Sequence, residues 1–320
     1  MTAGHVLAMD VGGTGIKGAL LGPGDQTVLT LSRPTPGGHA PDAVLRAITE
    51  AARELLRQAG KKGIDVGIAG VVVPGIVDDT RGHVLYSANL GIRDEPLALR
   101  LTTALGIPVV VSHDVRAGAL AEAVLGAAVG RRHSLFVAIG TGIAGAFVTD
   151  GHALHSDGWA GEIGHITIDP HGRDCACGGR GCLETIASAR AVAEAFTRRT
   201  GIPVTGAADV AGRLLGGDPD AHEVWRRAVD ALAEATAILT TTLGPDTVVV
   251  GGGLGNAGEL LLAPLRDALA DRLTFHRRPA IVRAALGSRA GCIGAGLTAR
   301  RALRVPDSTS SCSDIPASVP

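Results

Sequence analysis

The sequence predicts an α/β protein built from two related halves, and three observations carry that reading. Predicted strands alternate with predicted helices along most of the chain. A strand, a Gly/Thr-rich turn and a returning strand occur twice, at residues 6–21 and 134–149. The length, 320 residues, favours two domains, though one large domain stays possible.

The elements follow in order. Residues 6–9 form a short apolar run that ends at Asp10 and a set of glycines, the pattern of a buried strand. The chain then turns tightly and returns as a strand over 18–21. Val44, Leu45, Ile48, Leu55 and Leu56 recur with helical spacing, which predicts a helix over 42–59 stopped at Gly60. A strand over 64–73 ends at Pro74-Gly75, and a strand over 108–111 leads into His113-Asp114. An Ala-rich helix over 115–128 comes next. The second half opens with a strand over 134–139, Gly140-Thr141-Gly142, and a partner strand over 144–148. Helices over 187–200 and 221–243 precede a strand at 247–250, which runs into Gly251-Gly252-Gly253. Helices over 258–272 and 291–303 finish the ordered chain. The remainder, 305–320, is rich in Ser and Pro, carries Cys312, and reads as a disordered tail.

Composition narrows the class. Aromatic residues make up 2% of the chain, so the cores must be built from Val, Ile, Leu and Ala. The net charge of −1 leaves no nucleic-acid footprint. The start lacks a secretory pattern and no apolar run is long enough to span a membrane, so no membrane partner and a cytoplasmic location are expected. Five cysteines in a chain this long are not a disulfide scaffold; metal-bound thiolates in a reducing compartment fit better. Cys292 reads as a small core residue. Lysine occurs only at 17, 61 and 62, which makes Lys17 conspicuous.

The most specific signal lies in residues 162–184. His165, Cys175, Cys177 and Cys182 fall together there, with Glu162 and Glu184 at the two ends. Three thiolates and an imidazole on a Gly-rich loop are a ligand set for tetrahedral Zn²⁺. A redox pair is the alternative, but the spacing is C-x-C rather than C-x-x-C. Four protein ligands leave no open position, so the metal is expected to be structural. It would stiffen the platform that carries the two glutamates, and carboxylates so held can grip the hydroxyls of a polar ligand.

The glycine loops are individually weaker. Asp10, Gly12, Gly13, Thr14 and Lys17 can form a phosphate cradle, with Asp10 holding a Mg²⁺-bound water; an ordinary hairpin turn is the alternative. The spacing matches neither a Walker loop nor a dinucleotide fingerprint. Gly140, Thr141 and Gly142 can form a second phosphate loop, or a plain turn. Gly251, Gly252 and Gly253 can pass under a nucleotide base and ribose, or serve as a strand-to-helix joint needing positive φ. Asp114, after a buried strand at the junction of the halves, can take a proton from a substrate hydroxyl or cap the following helix, a role Ser112 can also fill.

Taken together, Asp10-x-Gly-Gly-Thr-x-x-Lys17, Pro74-Gly75, Asp114, Gly140-Thr-Gly142, Glu162-x-Gly-His165, Cys175-x-Cys-Gly-x-x-Gly-Cys182-x-Glu184 and Gly251-Gly-Gly253 resemble the ROK family of repressors, open reading frames and sugar kinases. The resemblance covers residues 5 to 303 or so, and the Cys-rich signature is its most specific part. It implies a two-domain actin-like (ribonuclease H-like) ATPase fold with a nucleotide and sugar cleft between the domains. The domains would be 1–113 with a returning C-terminal helix 291–304, and 114–290 with the zinc loop 165–182. It also implies a cytoplasmic glucokinase-type enzyme of carbohydrate metabolism and glycolysis, taking ATP, Mg²⁺ and a structural Zn²⁺. By position, Asp114 is the general base for the 6-hydroxyl. Glu162, His165, Glu184, Gly75 and Asn89 lie where sugar contacts lie, and Gly252 and Gly253 belong to the nucleotide side. A homodimer or homotetramer is expected from relatives of this type.

One departure concerns the base. The family usually reads Glu-Asn-Asp-Ala-Asn there, whereas this chain has Ser112-His113-Asp114-Val115-Arg116. His113 takes the place of an Asn that binds sugar, and Arg116 is placed to pair with Asp114 and lower its basicity. The family's repressors carry a winged helix ahead of the first strand, and the chain is expected to lack one. Glucose is the first expectation for the sugar; N-acetylmannosamine, N-acetylglucosamine, fructose, mannose and allose are the alternatives. The other function classes are a sugar sensor that has lost catalysis and a zinc-dependent hydrolase, which would need an open metal position.

Overall fold

The computed structural model describes residues 4–37 and 40–304, so the expected tail and Cys312 lie outside the described residues. The first half consists of strands β1 (His5–Val11), β2 (Gly15–Leu21) and β3 (Thr27–Pro34), helix α1 (Pro41–Lys61), strands β4 (Val66–Val73), β5 (Ile76–Asp78), β6 (His83–Ser87) and β7 (Ile92–Glu95), helix α2 (Leu97–Leu105) and strand β8 (Val109–His113). Helix α3 (Asp114–Leu125) leads to β9 (His133–Ile139), β10 (Ile143–Thr149) and β11 (His152–Ala153). Then come α4 (Glu184–Ala187), α5 (Ala189–Thr200), α6 (Ala207–Leu215), α7 (Pro219–Leu243), β12 (Thr247–Gly251), α8 (Gly252–Gly255), α9 (Glu259–Arg272), β13 (Ala280–Arg283) and α10 (Ala290–Arg304).

The two halves repeat one sheet plan. The first sheet is ordered β3-β2-β1-β4-β8 and the second β11-β10-β9-β12-β13. In each, the first three strands pair antiparallel and the last two join in parallel. The repeat detected as strand, Gly/Thr turn and strand is therefore the central hairpin of each sheet. A separate three-stranded sheet, β5-β6-β7, is inserted after β4.

Burial explains the layers. Leu7, Met9, Ile16 and Leu20 face α1, whose Val44, Ile48 and Leu55 complete one core. The other face, Val6, Ala8, Ala19, Leu21 and Val72, packs on Ala295 and Ala299 of α10 and on Ala117 of α3. Ala119 of α3 in turn meets Phe136, Ala146 and Val148 of the second sheet. Helices α3 and α10 thus lie between the two sheets and against each other. Their contact is close because both are rich in Ala and Gly. A Cβ on Gly294 would fall 2.0 Å from the Ala117 carbonyl oxygen, and one on Gly70 would fall 2.0 Å from that of Ala295.

Several elements escape the sequence pattern. Strand β3 is an edge strand with little burial, so its apolar alternation is faint. Strands β5, β6 and β7 are three to five residues long, and α2, α6, β11 and β13 are also short. The expected stop at Gly60 lies inside α1, which continues to Lys61; the left-handed glycine that follows is Gly63. Helix α3 begins one residue earlier than expected, at Asp114 itself. Among the described residues, no helix is long and apolar enough to cross a membrane.

Gly294→Ala separates packing from propensity. Alanine in a helix interior ordinarily stabilises by about 1 kcal/mol, but here overpacking against α3 is expected to win and cost roughly 1–3 kcal/mol. Denaturant unfolding should show a lower midpoint; a higher one would contradict the close α3–α10 contact.

Candidate active site

The parallel strands point their carboxyl ends to one edge of each sheet. Asp10 stands near the end of β1, Pro74-Gly75 follows β4, and His113-Asp114 joins β8 to α3. In the second half, Gly140-Thr141-Gly142 follows β9 and Gly252-Gly253 follows β12. The topology thus brings both glycine loops and Asp114 to the ends of parallel strands, where crevices form in α/β sheets.

Asp114 is the first residue of α3, and one of its carboxylate oxygens accepts the Val115 N–H at 2.7 Å. The capping side chain is His113, whose Nδ1 accepts the same N–H at 3.2 Å; Ser112 is not the cap. Burial pushes the Asp114 carboxyl up to about 6, even though the Val115 amide and Arg116 pull it down. Asp10 is likewise raised to about 6, by burial first and by Asp114 second, with Lys17 opposing. Burial thus outweighs the nearby positive charge at both carboxyls.

His113 is held neutral. Burial, aided by the Arg116 charge, pushes its imidazole down to about 3. Because Nδ1 accepts from an amide, the ring proton belongs on Nε2, which lies 3.4 Å from Asp114 Oδ1. His113 is thus a fixed hydrogen-bond donor beside the Asp114 carboxyl.

The expected Arg116–Asp114 pair is not formed. The Arg116 side chain is buried and its Nη2 lies 2.7 Å from Asp79 Oδ1 and 2.7 Å from the Val77 carbonyl oxygen. The other oxygen of Asp79 accepts the Ser112 hydroxyl at 2.8 Å. The inserted sheet supplies this partner, and nothing in the local sequence around Asp79 announces it.

Glu162 and His165 flank a short 3-10 turn, Ile163–His165. Partial burial raises the Glu162 carboxyl above its usual range; His165 and Arg116 oppose that shift, while Glu184 and Asp114 add to it. His165 presents Nε2 to Glu162 Oε2 at 3.8 Å and Nδ1 to Cys175 Sγ at 3.6 Å. Glu184 plays a different part from its partner glutamate. It accepts the Ile143 N–H at 2.9 Å, and a Cβ on Gly142 would fall 2.3 Å from its Oε2. It braces the second glycine loop, which explains the glycine at 142.

His165, Cys175, Cys177 and Cys182 each place a ligand atom within 4.8 Å of the others. A tetrahedral ion bound at about 2.3 Å to sulfur and about 2.0–2.1 Å to nitrogen sets neighbouring sulfurs about 3.8 Å apart and sulfur to nitrogen about 3.6 Å. Cys177 Sγ and Cys182 Sγ are separated by 3.7 Å, and Cys175 Sγ lies 3.6 Å from His165 Nδ1. The thiols differ in their readiness to ionise. The Gly179 amide lowers the Cys177 thiol, while burial and the neighbouring thiols push Cys182 up to about 12. The donor set fits a closed tetrahedral metal.

The remaining residues divide by environment. Gly12 turns its N–H onto the Gly15 carbonyl at 2.8 Å, while Gly13 and Thr14 are exposed. Lys17 pairs across from Asp10 in the β1–β2 ladder and reaches the Ser288 carbonyl oxygen at 3.4 Å. Gly140 turns its N–H onto Gly142 at 2.8 Å, leaving Thr141 exposed at the tip. Gly252 has φ of 78° with the Ile139 carbonyl against it, so it is a strand-to-helix joint, whereas Gly253 faces open space. Gly75, at φ 114°, lets the chain pass the Tyr86 carbonyl. Asn89 is exposed on the 3-10 turn Ala88–Leu90, with its Cβ beside Gly13. A cavity of about 580 Å³ between α5 and α6, lined by Thr141, Ala189, Ala193, Thr197, Val204 and Thr205, opens beside the second loop. Its far wall is the turn 204–206 with Ala207, the first residue of α6.

A family model described as the ROK family matches residues 6–302. The glucokinase of Halalkalibacterium halodurans is 33% identical over 315 residues, covering 91% of this chain and 93% of that one. A ROK hexokinase from Thermus thermophilus superposes with a TM-score of 0.82 at 35% identity, across 93% of this chain and 99% of that one. A ROK family glucokinase from Streptomyces griseus, solved in complex with glucose and AMPPNP, gives a TM-score of 0.79 at 30% identity, across 93% and 100% of the two chains. The repeated sheets, the metal-ligand loop and the match over nearly the whole chain place this protein in the ROK family, with its two-domain actin-like ATPase fold.

Proposed function

We propose that this protein is an ATP-dependent hexose kinase that transfers the γ-phosphoryl group to the 6-hydroxyl of glucose. The observation that carries the reading is Asp114, a half-buried carboxylate raised to about 6 at the strand ends where the glycine loops lie. A base poised near neutrality is what proton removal from an alcohol requires. The choice of glucose rests on likeness to glucokinases.

In this reading Asp114 takes the proton of the 6-hydroxyl as its oxygen bonds to the γ-phosphorus. The bond to the β,γ-bridging oxygen breaks, and ADP leaves with that electron pair. The protein's part is alignment and charge balance. Glu162 and the outer face of His165 hold other sugar hydroxyls, and His113 donates from Nε2. Gly13, Thr14 and Thr141 line the phosphate path, and the cavity between α5 and α6 is of a size to take the nucleoside. The mutual repulsion of Asp10 and Asp114 fits a site completed by Mg²⁺-nucleotide, with Asp10 holding a metal-bound water. Zn²⁺ is the ion the four-ligand loop would hold; when bound it supplies rigidity to the segment between Glu162 and Glu184. Its closed ligand set gives no support to a hydrolase. Thiolates kept for a metal suit a reducing cytoplasm. The sensor reading loses its main motive because Arg116 is occupied by Asp79 rather than by the base. The first half, 1–113 with 291–304, and the second, 114–290, are taken to close on the ligands and exclude water.

Coupled ADP release with glucose tests the reading. Asp114→Asn is expected to lower kcat by about 10²–10⁴-fold, or roughly 3–5 kcal/mol of barrier, with a smaller change in glucose affinity. Near wild-type turnover in this variant would contradict the base assignment. Wild-type activity should fall as the pH drops through about 6, because the carboxyl then keeps its own proton.

The same variant has a predicted effect on stability. The folded-state value of Asp114 lies above its ordinary 3.8, so its contribution is most favourable below that pH and is lost as pH rises through about 6. Asparagine escapes that loss. Asp114→Asn should therefore be more stable than wild type at pH 7.5, on the order of 1–3 kcal/mol, and indistinguishable near pH 3.5. Equal melting temperatures at both pH values would contradict the raised carboxyl.

A further inference from the structure

We propose that Asp79 is a positioning residue for phosphoryl transfer: it holds the Arg116 guanidinium against the inserted sheet and so keeps it off the Asp114 carboxylate. The inference rests on the hexose-kinase reading and deepens it.

Arg116 sits two residues beyond Asp114, on the first turn of α3, and is 2% exposed. Its Nη2 is committed to Asp79 and to the Val77 carbonyl, both at 2.7 Å. Its Nη1 reaches only the Ala160 carbonyl at 3.5 Å, and its Nε has no partner among the described residues. The guanidinium therefore has donors to spare and is held by one carboxylate. Asp79 is in turn anchored by the Ser112 hydroxyl at the end of β8. Ser112 and Arg116 flank the base in sequence, and Asp79 bridges them from a different element. Among the described residues, no Arg or Lys forms an ion pair with Asp114.

The chemistry sets the consequence. A guanidinium stays charged at any working pH, and a buried charge stripped of its partner seeks another. Helical positions two apart do not ordinarily face each other, but the Arg116 charge already reaches the Asp114 carboxylate at the start of α3 and pulls it down. An ion pair there would lower the basicity of the carboxylate by roughly 1–3 pKa units and occupy the oxygen that must meet the substrate hydroxyl. Removing Asp79 should thus damage the transfer step by releasing Arg116, and removing Arg116 as well should undo part of that damage. A simple strut can show rescue in the pair as well, because removing one member of a buried ion pair leaves an uncompensated charge; only release of Arg116 onto the base moves the acid limb of kcat to lower pH, by roughly 1–3 units.

The test is a double-mutant cycle on the full-length protein with glucose and ATP: Asp79→Asn, Arg116→Asn and the pair. Asp79→Asn is expected to lower kcat roughly 10–100-fold, with a smaller change in KM for glucose. Arg116→Asn should lose less, and the double variant should turn over faster than Asp79→Asn alone. A double variant as slow as Asp79→Asn, or an Asp79→Asn enzyme with wild-type kcat, overturns the proposal. Should Asp79→Asn not fold, Asp79→Glu serves: it keeps a partner for the guanidinium and is expected to stay active, and a folded Asp79→Glu protein that binds glucose but has lost turnover overturns the proposal. Glucose-dependent ADP release by the wild type tests the kinase reading separately. With that activity present, an Asp79→Asn enzyme whose kcat keeps the wild-type pH dependence defeats only the role given to Asp79.

Discussion

The desolvation of the Asp10 and Asp114 carboxyls is the constraint on which the rest of the structure depends. Both are raised to about 6, mainly by burial, and Asp114 adds to the rise of Asp10. A folded chain could relieve that strain by pairing Asp114 with a cation, and Arg116 is close enough in sequence to do so. The fold instead gives Arg116 to Asp79, on an inserted sheet. The free energy this leaves unrelieved is available to a bound cationic partner and to a proton-donating hydroxyl. Stability is given up at Asp114, the carboxylate proposed as the base.

The loop between Glu162 and Glu184 handles its two carboxylates in opposite ways. Glu184 is tied to the Ile143 amide and shapes the second glycine loop. Glu162 stays outward, with His165 between it and the thiols. One imidazole thereby links the metal-ligand set to the ligand-facing side chain. His165 thus touches both Glu162 and the thiol cluster, and a metal held there could matter to binding without touching the reacting atoms.

Much of this was legible in the residues themselves. The duplicated strand–turn–strand units are the central hairpins of two equivalent sheets, and the Cys/His spacing marked four ligands that converge. These signals are local, so sequence distance does not blur them. The misses have a common cause. Strand β3 is an exposed edge, and β5, β6, β7 and β13 are too short for periodicity to register. Asp79, in the turn between β5 and β6, meets Arg116 across 37 residues. The expected Arg116–Asp114 pair was the best guess from neighbours along the chain, and the tertiary partner overrode it. The cavity beside Thr141 was likewise hidden because its far wall is the irregular turn 204–206, which carries no periodic pattern.

A crystal structure with glucose and a non-hydrolysable ATP analogue tests the central claim most directly. The account predicts the sugar's 6-hydroxyl oxygen within about 2.6–3.2 Å of an Asp114 carboxylate oxygen, Glu162 and His165 on other hydroxyls, and Arg116 still paired with Asp79. A glucose whose 6-hydroxyl lies out of reach of Asp114, or an Arg116 that pairs with Asp114 in the complex, would contradict it.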